Sequence, residues 1–258
     1  MFLGKVAAHN REDINKRKTS SSLGEMKKKI ADLPPARDLR KSIIQKAPMA
    51  LVAEIKRASP SAGVIQEQVD FPGIAGEYQA GGASAISVLT EAHFFQGDLD
   101  HIGKVKEKVS LPILQKDFII DPFQIYEGRI AGADAVLLIA AMITQGQVGE
   151  FTQLIRDLGM IPLVEVHNEE DLGKVSGLPL PLIGINNRNL QTLEVNLEVT
   201  CHLIKKIPQG TMVISESGIK NREDVKRLQQ AGARGVLVGE VLMRSADPAT
   251  KIRELLGR

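Results

Sequence analysis

The sequence predicts an α/β fold, a (β/α)8 or TIM barrel carrying an N-terminal helical extension. Three observations lead there: an internally repeated turn, eight short apolar runs separated by helical stretches, and a length of 258 residues. Such barrels typically need about 250 residues. The repeat is Ala-Gly-small followed by an apolar run: AGGASAISVL from Ala80, AGADAVLLIA from Ala131 and AGARGVLVGE from Ala231. A helix that ends on a left-handed glycine and feeds a buried strand leaves this pattern. Gly81, Gly132 and Gly232 are 51 and 100 residues apart. Those spacings are close to two and four units of about 25 residues, enough for a strand, a helix and two loops.

In chain order the strands are LVAEIK (51–56), AISVLT (85–90), ILQKD (113–117), AVLLIA (135–140), IPLVEV (161–166), LIGIN (182–186), MVISES (212–217) and GVLVGE (235–240). Near-continuous Val, Ile and Leu mark strands covered on both faces. GQVGEFTQLIRDLG and NREDVKRLQQAGA read as helices between them, the second opening with Asn221 as N-cap and Asp224 three residues on. A doubly wound open sheet also alternates strands and helices, but GxGxxG and GxxxxGKS/T are both absent. Residues 1–46 fall outside the alternation: SSLGEMKKKIADL reads as an amphipathic helix ended by Leu33-Pro34-Pro35, and RDLRKSIIQKA resumes helically. They are expected to pack on the barrel of residues 47–258, forming one domain with it. Lys27-Lys28-Lys29 reads as a solvated helix face.

Composition narrows the partners. Hydrophobic residues make up 43% and charged residues 25%, ordinary for a soluble globular protein. A net charge of +2 builds no basic field, so no nucleic acid is expected. There is no membrane-length apolar run, and MFLGKVAAHNREDINKRK lacks the apolar core of a signal peptide. No membrane partner is therefore expected, and the expected compartment is a reducing cytoplasm. Cys201, the single cysteine, rules out an internal disulfide and reads as a small buried filler. His9, His93, His101, His167 and His202 show no metal-ligand spacing and read as surface or satisfied residues, so no metal is expected.

Glu54 and Lys56 interrupt the first strand two residues apart and so share one face. Such charges are rarely buried unless paired. Barrel strands alternate between the interior and the helix layer, and their C-terminal ends carry the chemistry. Applied to every strand, that alternation collects Glu54, Lys56, Lys116, Glu165, Asn186 and Glu216 as inward-facing residues near those ends. Ile55, Val164, Ile185 and Ser215 then face outward. Opposite charges sharing a pocket keep one another ionised, and such pockets tune acids and bases. A lysine acting as an acid gains from a lowered pKa, which two crowded lysines are expected to supply.

A second group of residues suits a phosphate ester. Strand 7 ends in Glu216-Ser217-Gly218, and strand 8 in Gly239-Glu240 followed by VLMRS, long enough for one short helix. Backbone N–H groups at such a helix start attract an anion, and glycine lets it approach closely. Ser59, in the loop after strand 1, adds a hydroxyl.

AEIKRASPSAG (53–63) closely resembles the signature segment of the indole-3-glycerol phosphate synthase family. The resemblance continues through FFQG (94–97), LPILQKDF (111–118), LVEVH (163–167), GINNRNL (184–190), ISESGI (214–219) and LVGEVLMR (237–244), in the family's order. Gln115 and Val241 depart from common family residues without touching a candidate catalytic group. The resemblance implies conversion of 1-(2-carboxyphenylamino)-1-deoxyribulose 5-phosphate to indole-3-glycerol phosphate, CO2 and water, with no cofactor. It implies that Lys116 is the general acid of ring closure and Glu165 the base of dehydration, with Lys56 beside the substrate as a further acid, and it leaves open which lysine serves which step. Glu54, Asn186, Arg188 and Glu216 would orient substrate and lysines. Ser59, Gly218, Gly239 and the backbone of Glu240 would hold phosphate, Ser217 would bind substrate beside them, and Phe95 and Phe118 would wall the anthranilate ring. The expected partner is a small phosphorylated substrate, handled by a monomer or weak homodimer.

Two alternatives stay open on these residues. Another phosphate-binding barrel, such as phosphoribosylanthranilate isomerase, should lack the AEIK-x-ASPS segment. A non-catalytic sugar-phosphate-binding barrel would have no reason to converge two lysines and three glutamates.

Overall fold

In the computed structural model, which describes residues 2–20 and 22–258, eight parallel strands close into a barrel. The strands are β1 (Ala50–Ile55), β2 (Ala85–Leu89), β3 (Ile113–Lys116), β4 (Ala135–Ile139), β5 (Ile161–Val166), β6 (Leu182–Asn186), β7 (Met212–Glu216) and β8 (Gly235–Val238). Closure runs through β1, which pairs with β2 at Val52↔Ala85 and with β8 at Ala50↔Gly235. A closed sheet has no edge strand, which excludes the open doubly wound alternative. A short antiparallel hairpin, Ala58–Ser59 with Gly63–Val64, folds the loop after β1 and has no counterpart in the sequence prediction.

The period of two along each strand separates two apolar layers. Leu51, Ala53, Ile55, Val136, Leu138, Val164 and Ile185 belong to the layer between strands and helices. Ala50, Val52, Ala135, Leu137, Ile139, Leu163 and Leu237 fill the interior. Ile55, Val164 and Ile185 therefore face outward as expected. The repeated turns carry left-handed glycines at Gly132 (φ 102°) and Gly232 (φ 108°). In the first repeat it is Gly82 (φ 95°), and not Gly81, that takes the cap. Gly81 serves packing instead: a Cβ there would stand 2.8 Å from Ala249 Cα in the last helix. The caps Gly82, Gly132 and Gly232 are then 50 and 100 residues apart, a tighter repeat than the sequence reading used.

The extension holds three helices, α1 (Phe2–Lys18), α2 (Leu23–Ala31) and α3 (Leu39–Gln45). Ser22 and Glu25 form a capping box on α2, whose Lys27, Lys28 and Lys29 are exposed. Met26 of α2 packs with Ile14, Phe123 and Tyr126. α3 lies against β1 and β2, with Leu39 and Ile43 joining the interior cluster and Ser42 Oγ donating to Ser84 O. α1 escaped the sequence reading because its buried stripe, Val6, Asn10 and Ile14, is interrupted by a polar residue. Asn10 fits there because its Nδ2 donates to Phe118 O at 2.9 Å. Arg17 grips Glu127 with two bonds, of 2.7 and 3.2 Å.

Cys201 is half-buried in the helix Glu198–Leu203, which corrects its reading as a buried filler. Among the described residues, no helix is long and apolar enough to cross a membrane.

Candidate active site

The six inward-facing candidates line one cavity of about 620 Å³ at the C-terminal ends of the strands. Ser59, Phe95, Phe118, Arg188, Ser217, Gly218, Gly239 and Glu240 line the same cavity. The size suits a substrate-sized ligand, for which pockets of about 300–1,000 Å³ are usual. Glu54 and Lys56 meet on their shared face, Lys56 Nζ donating to Glu54 Oε1 at 2.8 Å. Across the barrel Lys116 Nζ lies 2.9 Å from Glu165 Oε2 and 3.3 Å from Glu216 Oε2. Asn186 Nδ2 donates to Glu165 Oε1 at 3.1 Å. Gly184 on β6 leaves room for this cluster, since a Cβ there would meet Glu216 Oε1 at 2.2 Å.

Electrostatics in this cluster differ from the sequence expectation of lysines lowering one another. Burial does work against the Lys116 ammonium, but Glu165, Glu216 and Glu54 outweigh it and raise its pKa above the ordinary lysine value. Each lysine has its own carboxylate, so glutamates and not the other lysine set the local field. Glu165 is buried, yet Lys116 and His167 hold its pKa well below the usual carboxylate range. Glu216 goes the other way: burial and the Glu165 charge raise it, against the pull of Lys116. Two carboxylates facing one ammonium thus divide into one firmly ionised and one prone to carry a proton.

At the β7–β8 side, Ser217 (φ 67°) and Gly218 (φ 85°) are consecutive left-handed residues. Asn187, fully buried, fixes that turn: its Nδ2 donates to Glu216 O at 2.9 Å and Ser217 O at 3.1 Å. Gly239 precedes the short helix Glu240–Met243. Ser59 Oγ accepts from Ala62 N at 3.2 Å, so it also closes its own loop. Arg188 donates through Nη1 to Leu193 O at 3.0 Å.

Opposite, Phe95 and Phe118 form an apolar wall with ring centroids 5.9 Å apart. Glu91 caps the helix that carries Phe95, accepting from His93, Phe94 and Phe95 backbone N–H groups. Asp117 accepts from Phe118 N at 2.7 Å, and burial pushes its carboxyl up to about 6 against that bond and the one from Thr90. Asn187, Glu91 and Asp117 were missed by the sequence reading. They act on backbone, and a backbone partner leaves no spacing signal.

His167, grouped in sequence with surface or satisfied histidines, sits directly behind Glu165. Its Nε2 is 3.0 Å from Glu165 Oε1 and its Nδ1 3.2 Å from Asp171 Oδ2. A signal was present: His167 is two residues past Glu165, the same spacing that links Glu54 to Lys56. Of the others, His93 pairs with Asp13 and His202 with Glu169 near the surface, and His101 stacks on Phe71. Among the described residues, no group of three or more His, Cys, Asp and Glu side chains is arranged to hold a metal ion.

Barrel and pocket define a (β/α)8 enzyme with an acid–base cluster at the C-terminal face. Solved structures share that fold. Thiamine phosphate pyrophosphorylase from Pyrococcus furiosus matches at a TM-score of 0.61 and 16% identity, over 84% of this chain and 96% of its own. N-acetylmannosamine-6-phosphate 2-epimerase from Clostridium perfringens gives the same TM-score at 17% identity, over 84% and 94%. The chain belongs to the indole-3-glycerol phosphate synthase family, whose model matches residues 3–255. An indole-3-glycerol phosphate synthase of Desulforamulus reducens is 45% identical over 99% of this chain and 97% of that protein. One from Rippkaea orientalis is 44% identical over 99% and 90%. These matches favour the synthase over the isomerase and over a non-catalytic barrel.

Proposed function

We propose that this chain closes the pyrrole ring of indole-3-glycerol phosphate, with release of CO2 and water. The observation that carries the reading is the Lys116–Glu165 pair, 2.9 Å apart, between an aromatic wall and two glycine-bearing loops. The wall suits the anthranilate ring of the substrate and the loops suit its phosphate.

Lys116 Nζ gives a proton to the ribulose carbonyl oxygen as the aryl carbon bonds to the carbonyl carbon. Its raised pKa is overcome because the oxygen becomes an alkoxide, a far stronger base than a carbonyl. Loss of CO2 leaves its bonding electrons to restore the aromatic ring. The hydroxyl then departs as water with a second proton, for which Lys56 is the acid beside the substrate, while Glu165 removes the C–H proton. Two protons enter and one leaves, so each turnover takes one proton from solvent. Glu165 can return its proton to Lys116 across the same 2.9 Å contact. Positioned acids and bases of this kind contribute about 10²–10⁴-fold each. Glu54 holds Lys56, Asn186 and Glu216 orient Glu165 and Lys116, and Arg188 supports the β6 loop. Ser59, Ser217, Gly218, Gly239 and the Glu240 backbone take the phosphate. The chain is proposed to work as a monomer or weak homodimer in the cytoplasm.

Indole fluorescence on addition of the anthranilate-derived ribulotide tests the reading, and turnover of phosphoribosylanthranilate in its place would overturn it. Because acids and bases suffice, activity is expected to survive prolonged EDTA dialysis. A loss that a divalent ion restores contradicts the mechanism.

Ser59→Ala is expected to raise KM by the worth of one hydrogen bond to a charged group, about 1.5–3 kcal/mol, because backbone amides provide most of the proposed phosphate binding. Truncation of the extension needs a boundary set by contacts. Deleting residues 1–40 would remove Arg37, whose Nη1 donates to Val109 O and Leu111 O and whose backbone N–H donates to the buried Asp134. It would also remove Leu39 from the interior. Deleting residues 1–20 removes α1 alone, with Val6 and Asn10 from the back of the Phe95–Phe118 wall. This shorter truncation is expected to stay folded with a raised KM, read by circular dichroism and steady-state kinetics. An unchanged KM reduces α1 to packing.

A further inference from the structure

Four side chains approach Glu165, Glu216 among them. Lys116 takes Oε2, while Asn186 and His167 both reach Oε1. Lys116 and Asn186 line the cavity, whereas His167 stands behind the glutamate, outside the lining. Its position is fixed from the far side. Asp171 Oδ2 accepts both the His167 backbone N–H at 3.0 Å and lies 3.2 Å from the ring Nδ1. Asp171 is itself buried in the first turn of the helix Glu169–Val175, where its backbone N–H bonds the N-cap Asn168. The result is a line of carboxylate, imidazole and carboxylate running from the helix layer to the pocket.

The proposed reaction gives that line a purpose, and the inference rests on the roles proposed above. Lys116 is neutral once it has protonated the carbonyl oxygen. At that moment Glu165, fully buried beside Glu216, loses its nearest cation. A buried carboxylate without a cation takes up a proton, and a protonated Glu165 cannot serve as the base of the later dehydration. We propose that His167, clamped by Asp171, is a positioning residue that keeps Glu165 a carboxylate in the interval between the two proton transfers.

The charged groups facing His167 are Glu165 from β5 and Asp171 from the following helix, with Lys116 of β3 and Glu216 of β7 beyond Glu165. Burial opposes its charge, but the two carboxylates prevail and raise its pKa to about 9, so the imidazolium is present at neutral pH. Asn186 donates a neutral hydrogen bond to the same Oε1 and cannot replace a charge.

The test compares the pH dependence of kcat for wild type, His167→Gln and Asp171→Asn. Glutamine keeps a donor of similar reach and removes the cation. A neighbouring cation lowers a carboxyl by about 1–3 pH units, so the acid limb of kcat in His167→Gln is expected to move up by about one unit or more. KM is expected to stay within about twofold, since ground-state contacts are untouched. Asp171→Asn is expected to move the limb the same way by less. An unmoved limb in His167→Gln, with turnover intact, overturns the role of His167 alone; absence of wild-type turnover overturns the functional reading with it. Should His167→Gln fail to fold, the ¹⁵N spectrum of the wild-type imidazole decides. Two protonated ring nitrogens at pH 7.5 support the proposal, and a neutral tautomer overturns it.

Discussion

Lys116→Met is expected to lower kcat by about 10²–10⁴-fold, the range for losing a positioned general acid. KM is expected to change far less, because the residues proposed to hold phosphate and aryl ring lie at the two sides of the pocket, away from Lys116. Met preserves length and volume, so the shape of the cavity survives. Stability points in a definite direction. Removing a neighbour of Lys56 would stabilise the fold if the two lysines repelled one another, but Lys56 is paired with Glu54 at 2.8 Å, and Lys116 faces Glu165 and Glu216. The variant therefore leaves buried Glu165 to His167 and takes away the cation that Glu216 faces, a change that costs up to about 3–5 kcal/mol, or on the order of 10 °C in Tm for a chain of this size. The sign with pH follows from Glu165. Its depressed pKa in the wild type contributes stability above the ordinary carboxylate value, lost as pH falls toward the folded value. Without Lys116 the carboxyls at this site titrate higher, so the loss in Tm is expected to be largest at mildly alkaline pH and to shrink toward pH 5. A variant that keeps kcat within about tenfold of wild type shows that Lys116 is not the acid. Lys56 then takes that role.

The same geometry explains which parts of the molecule were legible in the sequence. Strand period and repeated Ala-Gly turns are properties of one residue and its immediate neighbours, and every barrel strand lies within a residue or two of its predicted limits. Inward-facing charges were legible for the same reason: alternation sends Glu54, Lys56, Lys116, Glu165, Asn186 and Glu216 to one end of one interior. What failed depended on partners distant in the chain. α1 buries Asn10 because of a carbonyl at Phe118, and no local pattern announces that bond. The sign of the Lys116 shift depends on which carboxylates lie across the barrel, and a count of lysines in the pocket does not supply that. His167 is a different kind of miss, since the alternation already used for Glu54 and Lys56 would have placed it beside Glu165.

Gly239→Val is expected to damage kcat and KM together, well beyond the KM effect of Ser59→Ala. Two consequences meet at this residue. Gly239 leads into the helix Glu240–Met243, so a side chain would stand where the phosphate is proposed to approach the backbone. A Cβ at Gly239 would also lie 2.4 Å from Glu54 Oε1 and 3.1 Å from Glu54 Cβ. Glu54 must therefore swing away, and that same Oε1 holds Lys56 Nζ. Displacing a positioned group by about 1 Å can reduce rate by about 10²-fold, and kcat is expected to fall by that order. A double-mutant cycle with the milder Gly239→Ala separates the two consequences. If the damage to kcat passes through Glu54, adding Gly239→Ala to Glu54→Ala leaves kcat unchanged while KM still rises. Additive effects on kcat would mean that Gly239 acts independently of the Glu54–Lys56 pair. A larger rise in KM from Ser59→Ala than from Gly239→Val would move the phosphate away from the β7–β8 loops altogether.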